Sequence, residues 1–245
     1  MVKGFKFFKY NDFASVKKLF EELKKNDQKV SGILVEPIQG EGGVIPGDKL
    51  FFKELREICN QNNSLLILDE VESGVGRTGK MWGYENLGIE PDGFPLAKGL
   101  GGGHAIGALL VQKKANIFSP GDHASTFGGN PFACRAAITV LEEIKRRKIL
   151  NNVLERGNQL SEGLTKISAK FPKIISGKRG IGLIQGLVIN DAFTDAKTIT
   201  LKAFDKGLLL VPAGGNVVRF VPPLIISKDE INILLKKLDL IFEEL

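Results

Sequence analysis

At 245 residues, 43% of them hydrophobic, the chain can bury a sizeable core as one large domain or two ordinary ones, which excludes a disordered polypeptide. Its 34 Lys and Arg against 28 Asp and Glu leave a formal charge of +6. The basic residues are dispersed, however, and the one cluster, Lys145 to Lys148, falls at a helix end where cations complement the dipole, so no nucleic-acid partner is expected. Cys59 and Cys134 stand far apart and read as reduced thiols of a cytoplasmic protein. His104 and His123 give no metal-ligand spacing, so no metal is expected, and no apolar run is long enough for a membrane span. The opening MVKGFKFFKY lacks the features of a signal peptide and begins as though in the middle of a domain.

In chain order, residues 12–25 carry a helical stripe (Phe13, Val16, Leu19, Phe20, Leu23) with Asp12 placed to cap it. VSGILVEP reads as a strand closed by Pro37, IQGEGGVIPG as a glycine-rich loop, and residues 49–62 as a helix with Leu50, Leu55 and Ile58 inward. SLLILDE is too apolar to have a solvent face, which predicts a parallel sheet and a βαβ unit. DGFPLAKG and AIGALLVQ give two further strands, and a helix starts at NPFACRAAITVLEEI with Pro131 in its first turn. The character changes near residues 145–150. A polar helix to about Lys170, a helix near 194–206, two short strands in GLLLVPAGGNVVRFVPP and a last helix from Lys228 to Glu244 predict a separate α+β domain.

Ligands of parallel sheets bind at the carboxyl ends of the strands, where Glu36, Asp69 and Glu70 fall. Acids also end strands simply because the chain emerges into water. Lys98 follows an apolar run and precedes glycines; a buried or partly buried lysine there offers a neutral amine to a carbonyl. A carboxylate such as Asp69 can keep a pyridine nitrogen protonated, making the ring an electron sink. Lysine plus aspartate is the minimal pyridoxal phosphate pair, although Lys-Gly and Asp-Glu dipeptides are common.

The strings VEPIQGEGGVIPG, LLILDEVESGVGRTGKMWGYENLGIEPD, LAKGLGGG, GDHASTFGGNPFACRAA and VVRFVPPLII, in this order, resemble the class III pyridoxal phosphate aminotransferases over essentially the whole chain. Within that class the sequence is similar to the acetylornithine aminotransferases, with the ornithine and succinylornithine enzymes close behind. The resemblance implies the fold type I α/β architecture: residues 1–147 as the C-terminal part of the large cofactor domain, with a mostly parallel sheet, and 148–245 as the small α+β domain. It implies Lys98 as the Schiff-base lysine and proton shuttle, Asp69 as the pyridinium partner, Val71 against the ring and Glu36 near the substrate. Arg219 matches the arginine that binds the α-carboxylate, a role that suits the guanidinium fork, and Glu41 the acid that pairs with it. Ser125 and Thr126 match residues that reach the cofactor phosphate of a neighbouring subunit, which implies a homodimer with a shared site.

Read alone, each of these residues has a plainer role. Arg219 suits an edge strand, Ser125 and Thr126 suit a helix cap, His104 and His123 read as structural, Arg77 and Thr78 as loop-ordering, and Trp82 as packing. Two positions depart from the family. Glu72 stands where Gln is usual, and an ionised carboxylate cannot donate to the phenolic oxygen of the cofactor, so cofactor binding is expected to weaken. Pro95 replaces a residue with a backbone N–H and should cost one ladder bond, with little effect at a bulge. The family's N-terminal phosphate-binding portion has no counterpart in these residues, so an N-terminally truncated enzyme with impaired activity is expected. The functional expectation is transamination between N-acetylornithine and 2-oxoglutarate in arginine biosynthesis. A catalytically silent or dimerising fragment stands beside it, as does an ornithine, succinylornithine or 4-aminobutyrate aminotransferase.

Overall fold

A computed structural model of the chain describes residues 3–245. Asp12 caps α1 (Phe13–Lys25) by accepting the Ser15 amide at 3.1 Å. β1 (Gly32–Val35) follows and ends at Glu36. The stretch expected to be an irregular loop instead forms a short antiparallel hairpin, β2 (Ile38–Gln39) with β3 (Ile45–Pro46). The reason is apolar anchoring: Ile38 and Val44 are buried against Ile184 and Val217, which holds both arms in place.

Asp48 caps α2 (Lys49–Gln61) through the Leu50 and Phe51 amides. The buried stripe of α2 is Phe51, Phe52, Leu55, Ile58 and Cys59. Leu50, expected inward, is 63% exposed; it points about 140° away from Leu55 at 3.6 residues per turn.

β4 (Leu65–Leu68) runs parallel to β1 and to β5 (Gly93–Leu96), and β6 (Ala108–Val111) adds antiparallel to β5, giving the order β1-β4-β5-β6. The sheet is therefore mostly parallel, as its continuous apolar runs predict. Pro95 pairs with Leu109 in an unbroken register on this interior strand, so no bulge absorbs its missing N–H. The Pro95 carbonyl still accepts the Glu70 amide at 3.2 Å. Asp92 ties the start of β5 to β4: its buried carboxylate accepts the Leu66 amide and Arg56 Nη1, each at 2.7 Å, and pairs with Lys114. Burial opposes its ionisation, but the hydrogen bonds from Lys114, Leu66 and Arg56 outweigh it and hold the carboxyl below its usual range.

Asn130 caps α3 (Pro131–Arg146), whose first residue is Pro131. Lys148, in the left-handed region at φ 52°, separates it from α4 (Ile149–Lys170). The chain then builds an antiparallel sheet from β7 (Ile175–Ile181), β8 (Ile184–Ile189), β9 (Val211–Ala213) and β10 (Val217–Phe220), in the order β7-β8-β10-β9. α5 (Ala196–Asp205) precedes β9, and α6 (Lys228–Glu243) closes the chain behind a capping box of Ser227 and Glu230. Leu160, Leu164, Leu187, Val218 and Leu238 share one core with Phe94, Leu96 and Leu100 of the first half. Trp82 packs on Phe94 with ring centroids 5.3 Å apart, the packing role expected of it. That continuous core fixes the two sheets against each other and sets the distance across the cleft between them.

Candidate active site

The cleft holds a cavity of about 400 Å³ whose lining includes Glu41, Val71, Glu72, Lys98 and Arg219. They come from four separate parts of the chain. Glu41 sits at the tip of the β2–β3 hairpin, Val71 and Glu72 in the turn after β4, and Lys98 in the 3₁₀ turn after β5. Arg219 comes from β10, an interior strand, and is buried, so the edge-strand reading of it fails.

The polar groups form a connected chain. Arg219 Nη2 donates to Glu41 Oε1 at 2.7 Å and Nη1 to Glu72 Oε2 at 3.1 Å, while Lys98 Nζ pairs with Glu72 Oε1. The hydrogen bond and charge of Arg219 hold the Glu41 carboxyl below its usual range. The Glu41 backbone is fixed too, since its carbonyl accepts the Gly214 amide at 2.8 Å. Lys98 departs from expectation: its side chain is 54% exposed at the mouth of the cavity. An ion pair with Glu72 engages it there, rather than an apolar pocket. Lys98 (φ 41°) and the β-branched Val75 (φ 53°) both hold left-handed backbone at the cavity wall, a conformation that stores strain at sites whose surroundings over-determine it.

Glu36 and Asp69 stand at the ends of β1 and β4 and do not line the cavity. Asp69 Oδ1 accepts the Val71 amide at 2.9 Å, and Glu36 Oε2 accepts the Gly40 amide at 3.2 Å. Burial raises the Glu36 pKa above its ordinary 4.5; the Gly40 bond opposes this, and the charges of Asp69 and Glu72 add to it. The folded state thus binds the Glu36 proton more tightly, so its stabilising contribution is complete below 4.5 and is lost as pH rises through the raised value. Urea melts of wild type and Glu36→Gln should show it: the wild type loses stability relative to the variant as pH is raised above 4.5. A constant difference as pH rises contradicts the assignment.

Glu70, grouped with these acids by sequence position, faces away. It is buried and accepts Ser73 Oγ, the Gly83 amide and the Tyr84 amide at 2.6 to 2.8 Å, a structural task. Ser125 and Thr126 are exposed and outside the cavity lining; Ser125 Oγ accepts the Gly128 amide, and Asn130 rather than either residue caps α3. Arg77 does order its loop, by donating to the Leu183 and Pro222 carbonyls of the second half, and burial lowers its pKa to about 10. Three supports escape a reading of the sequence. The Tyr10 hydroxyl donates to the Glu36 and Pro37 carbonyls, Gly40 gives room to the Glu72 carboxylate, and Ile184 and Leu224 complete the wall. Only the glycine in QGEGG carried any signal.

Among the described residues, no group of three or more His, Cys, Asp or Glu could hold a metal ion, and no helix is long and apolar enough to cross a membrane.

The family described as aminotransferase class-III matches residues 1–242. The chain belongs to the class-III aminotransferase family. This class-III chain is 91% identical to the acetylornithine aminotransferase of Prochlorococcus marinus subsp. pastoris and 56% identical to that of Parasynechococcus marenigrum. Each alignment covers 100% of the chain and 59% of the relative, so the chain spans little more than half the length of these curated relatives. Among solved structures it is similar to the ornithine aminotransferase from Toxoplasma gondii ME49, with TM-score 0.91 and 31% identity, covering 100% of this chain and 57% of that one. It is also similar to the acetylornithine aminotransferase from Elizabethkingia anophelis, with TM-score 0.90 and 33% identity, covering 100% and 64%. The α/β fold with a mostly parallel sheet is accordingly that of the class-III aminotransferases.

Proposed function

We propose that this chain supplies the lysine, the aspartate and the carboxylate-binding arginine of a pyridoxal phosphate site that moves an amino group from N-acetylornithine to 2-oxoglutarate. The observation that carries the reading is the row Lys98–Glu72–Arg219 along one cavity, with Asp69 at the neighbouring strand end. The residues fit the cofactor, with an amine at the cavity mouth and a carboxylate at a strand end, and fit a substrate carboxylate through the buried Arg219 Nε, which has no partner among the described residues.

When bound, pyridoxal phosphate supplies an electron sink for the pair left on the carbon that bears the amino group. Lys98 holds the cofactor aldehyde and then carries the proton at that carbon. Asp69 pairs with the ring nitrogen, kept in orientation by its bond to the Val71 amide, and Val71 bears on the ring. Arg219 grips the α-carboxylate with Glu41 as its exchangeable partner, and Glu36 borders the substrate. Ser125 and Thr126 serve the cofactor phosphate of a second copy, in a homodimer whose contact draws on exposed apolar residues such as Phe127, Phe132 and Leu109. The division of the chain at 147/148 and a cytoplasmic location belong to the same reading. N-acetylornithine is preferred over ornithine as donor because the relatives at 91% and 56% identity carry the acetylornithine name.

The test follows glutamate formation from 2-oxoglutarate by the purified protein with pyridoxal phosphate, offering N-acetylornithine or ornithine as donor. Faster formation with N-acetylornithine is expected. Equal rates with and without the protein overturn the reading.

A further inference from the structure

Both cations that this reading assigns to ligands are engaged by one side chain. Glu72 pairs through Oε1 with Lys98 and through Oε2 with Arg219. Its side chain is 15% exposed, against 73% for Glu41, the other carboxylate on the guanidinium. Glu72 is also seated: a β-carbon at Gly40 would overlap its Oε2, so the absence of a side chain at Gly40 makes room for the carboxylate. A buried charge between two cations is screened far less than an exposed one. The two carboxylates therefore have different tasks. Glu41 turns into solvent cheaply and uncovers the Nη2 and unpartnered Nε edge of Arg219, which suits a ligand carboxylate. Glu72 stays beside that edge and opposes the incoming negative charge.

We infer that Glu72 is a built-in competitor, an internal carboxylate that occupies Lys98 and Arg219 in the empty cavity and lowers their affinity for cofactor aldehyde and ligand carboxylate. The inference rests on the functional reading above and deepens it. Lys98 must leave Glu72 to bind the aldehyde, and a ligand on Arg219 must bind against the charge of Glu72. Replacing Glu72 with its amide keeps the shape and removes the competing charge. Gly40→Ala keeps the charge and displaces it, because the overlapping atom is the far end of a flexible side chain.

The experiment uses the full chain without cofactor and two readouts. Glutarate, a dicarboxylate that cannot react, is titrated calorimetrically into wild type, Glu72→Gln, Gly40→Ala, Glu41→Gln and Arg219→Ala. The acylation rate of Lys98 by trace acetic anhydride is followed by peptide mass spectrometry, with Lys114 as an internal reference. Glu72→Gln should bind glutarate about tenfold more tightly than wild type, a larger gain than Glu41→Gln gives. Lys98 should acylate about fivefold faster in both Glu72→Gln and Gly40→Ala. Unchanged or weaker glutarate binding in Glu72→Gln, or unchanged Lys98 reactivity in both variants, overturns the competitor. Loss of binding in Arg219→Ala alongside such a result leaves the functional reading standing. Undiminished binding in Arg219→Ala removes the functional reading itself.

Discussion

On the proposed function, Lys98→Ala is expected to abolish amino-group transfer, lowering the rate by about a thousandfold or more. Lys98 is the only lysine lining the cavity among the described residues, so no neighbouring amine replaces it in holding the cofactor or moving the proton. Its side chain is half exposed and makes one ion pair, with Glu72, so the change costs little stability and the variant folds. That combination separates a chemical role from a structural one. Thermal melts of the variant should overlay those of wild type within a few degrees while glutamate formation disappears, and an added small amine such as methylamine should restore part of the rate. Retention of the rate would show that the chemistry does not pass through Lys98.

Glu70→Ala has the largest expected effect on stability. The carboxylate is buried and accepts the Ser73 hydroxyl, the buried Gly83 amide and the half-buried Tyr84 amide. Alanine leaves the buried Gly83 and half-buried Tyr84 amides and the Ser73 hydroxyl without their acceptor; a buried orphan costs about 1–3 kcal/mol, so a total loss of roughly 3 kcal/mol is expected. In a chain of this size that corresponds to a fall in Tm of about 10 °C. The same bonds hold the turn that carries Val71 and Glu72, so activity should fall with stability and recover when the assay is run well below the new Tm. Calorimetry checks the first expectation. A shift of less than about 2 °C would mean that water or a local rearrangement satisfies the freed amides.

Much of this architecture is legible in the sequence because it is written in local physics. Asp12, Asp48 and Asn130 each cap the helix they precede, and the apolar run at residues 65–68 has nowhere to sit except inside a parallel sheet. The residues of the cavity wall were legible through motif strings, which place Lys98, Val71, Glu72, Glu41 and Arg219 and pair Glu41 with Arg219, but do not give the contacts of Glu72 with Lys98 and Arg219. Their meeting depends on long-range geometry. Glu72 and Arg219 are separated by 147 positions and Glu41 and Arg219 by 178, and no periodicity reports such contacts. Exposure was equally hidden. Lys98 was expected to be buried or partly buried beside its apolar neighbours; Phe94 and Leu96 are buried, while the lysine, at φ 41°, has a side chain 54% exposed. Glu70 and Asp69 are adjacent in sequence and diverge in role, because the turn after β4 sends one carboxylate into the fold and leaves the other at the strand end.

The central claim, that Lys98 holds pyridoxal phosphate in this cleft, is tested most directly by reduction. The purified chain is mixed with pyridoxal phosphate, trapped with borohydride, digested and mapped by mass spectrometry. One reduced adduct per chain, saturable and located on Lys98, is the predicted result. Labelling spread over surface lysines, with Lys98 unmodified, would contradict it.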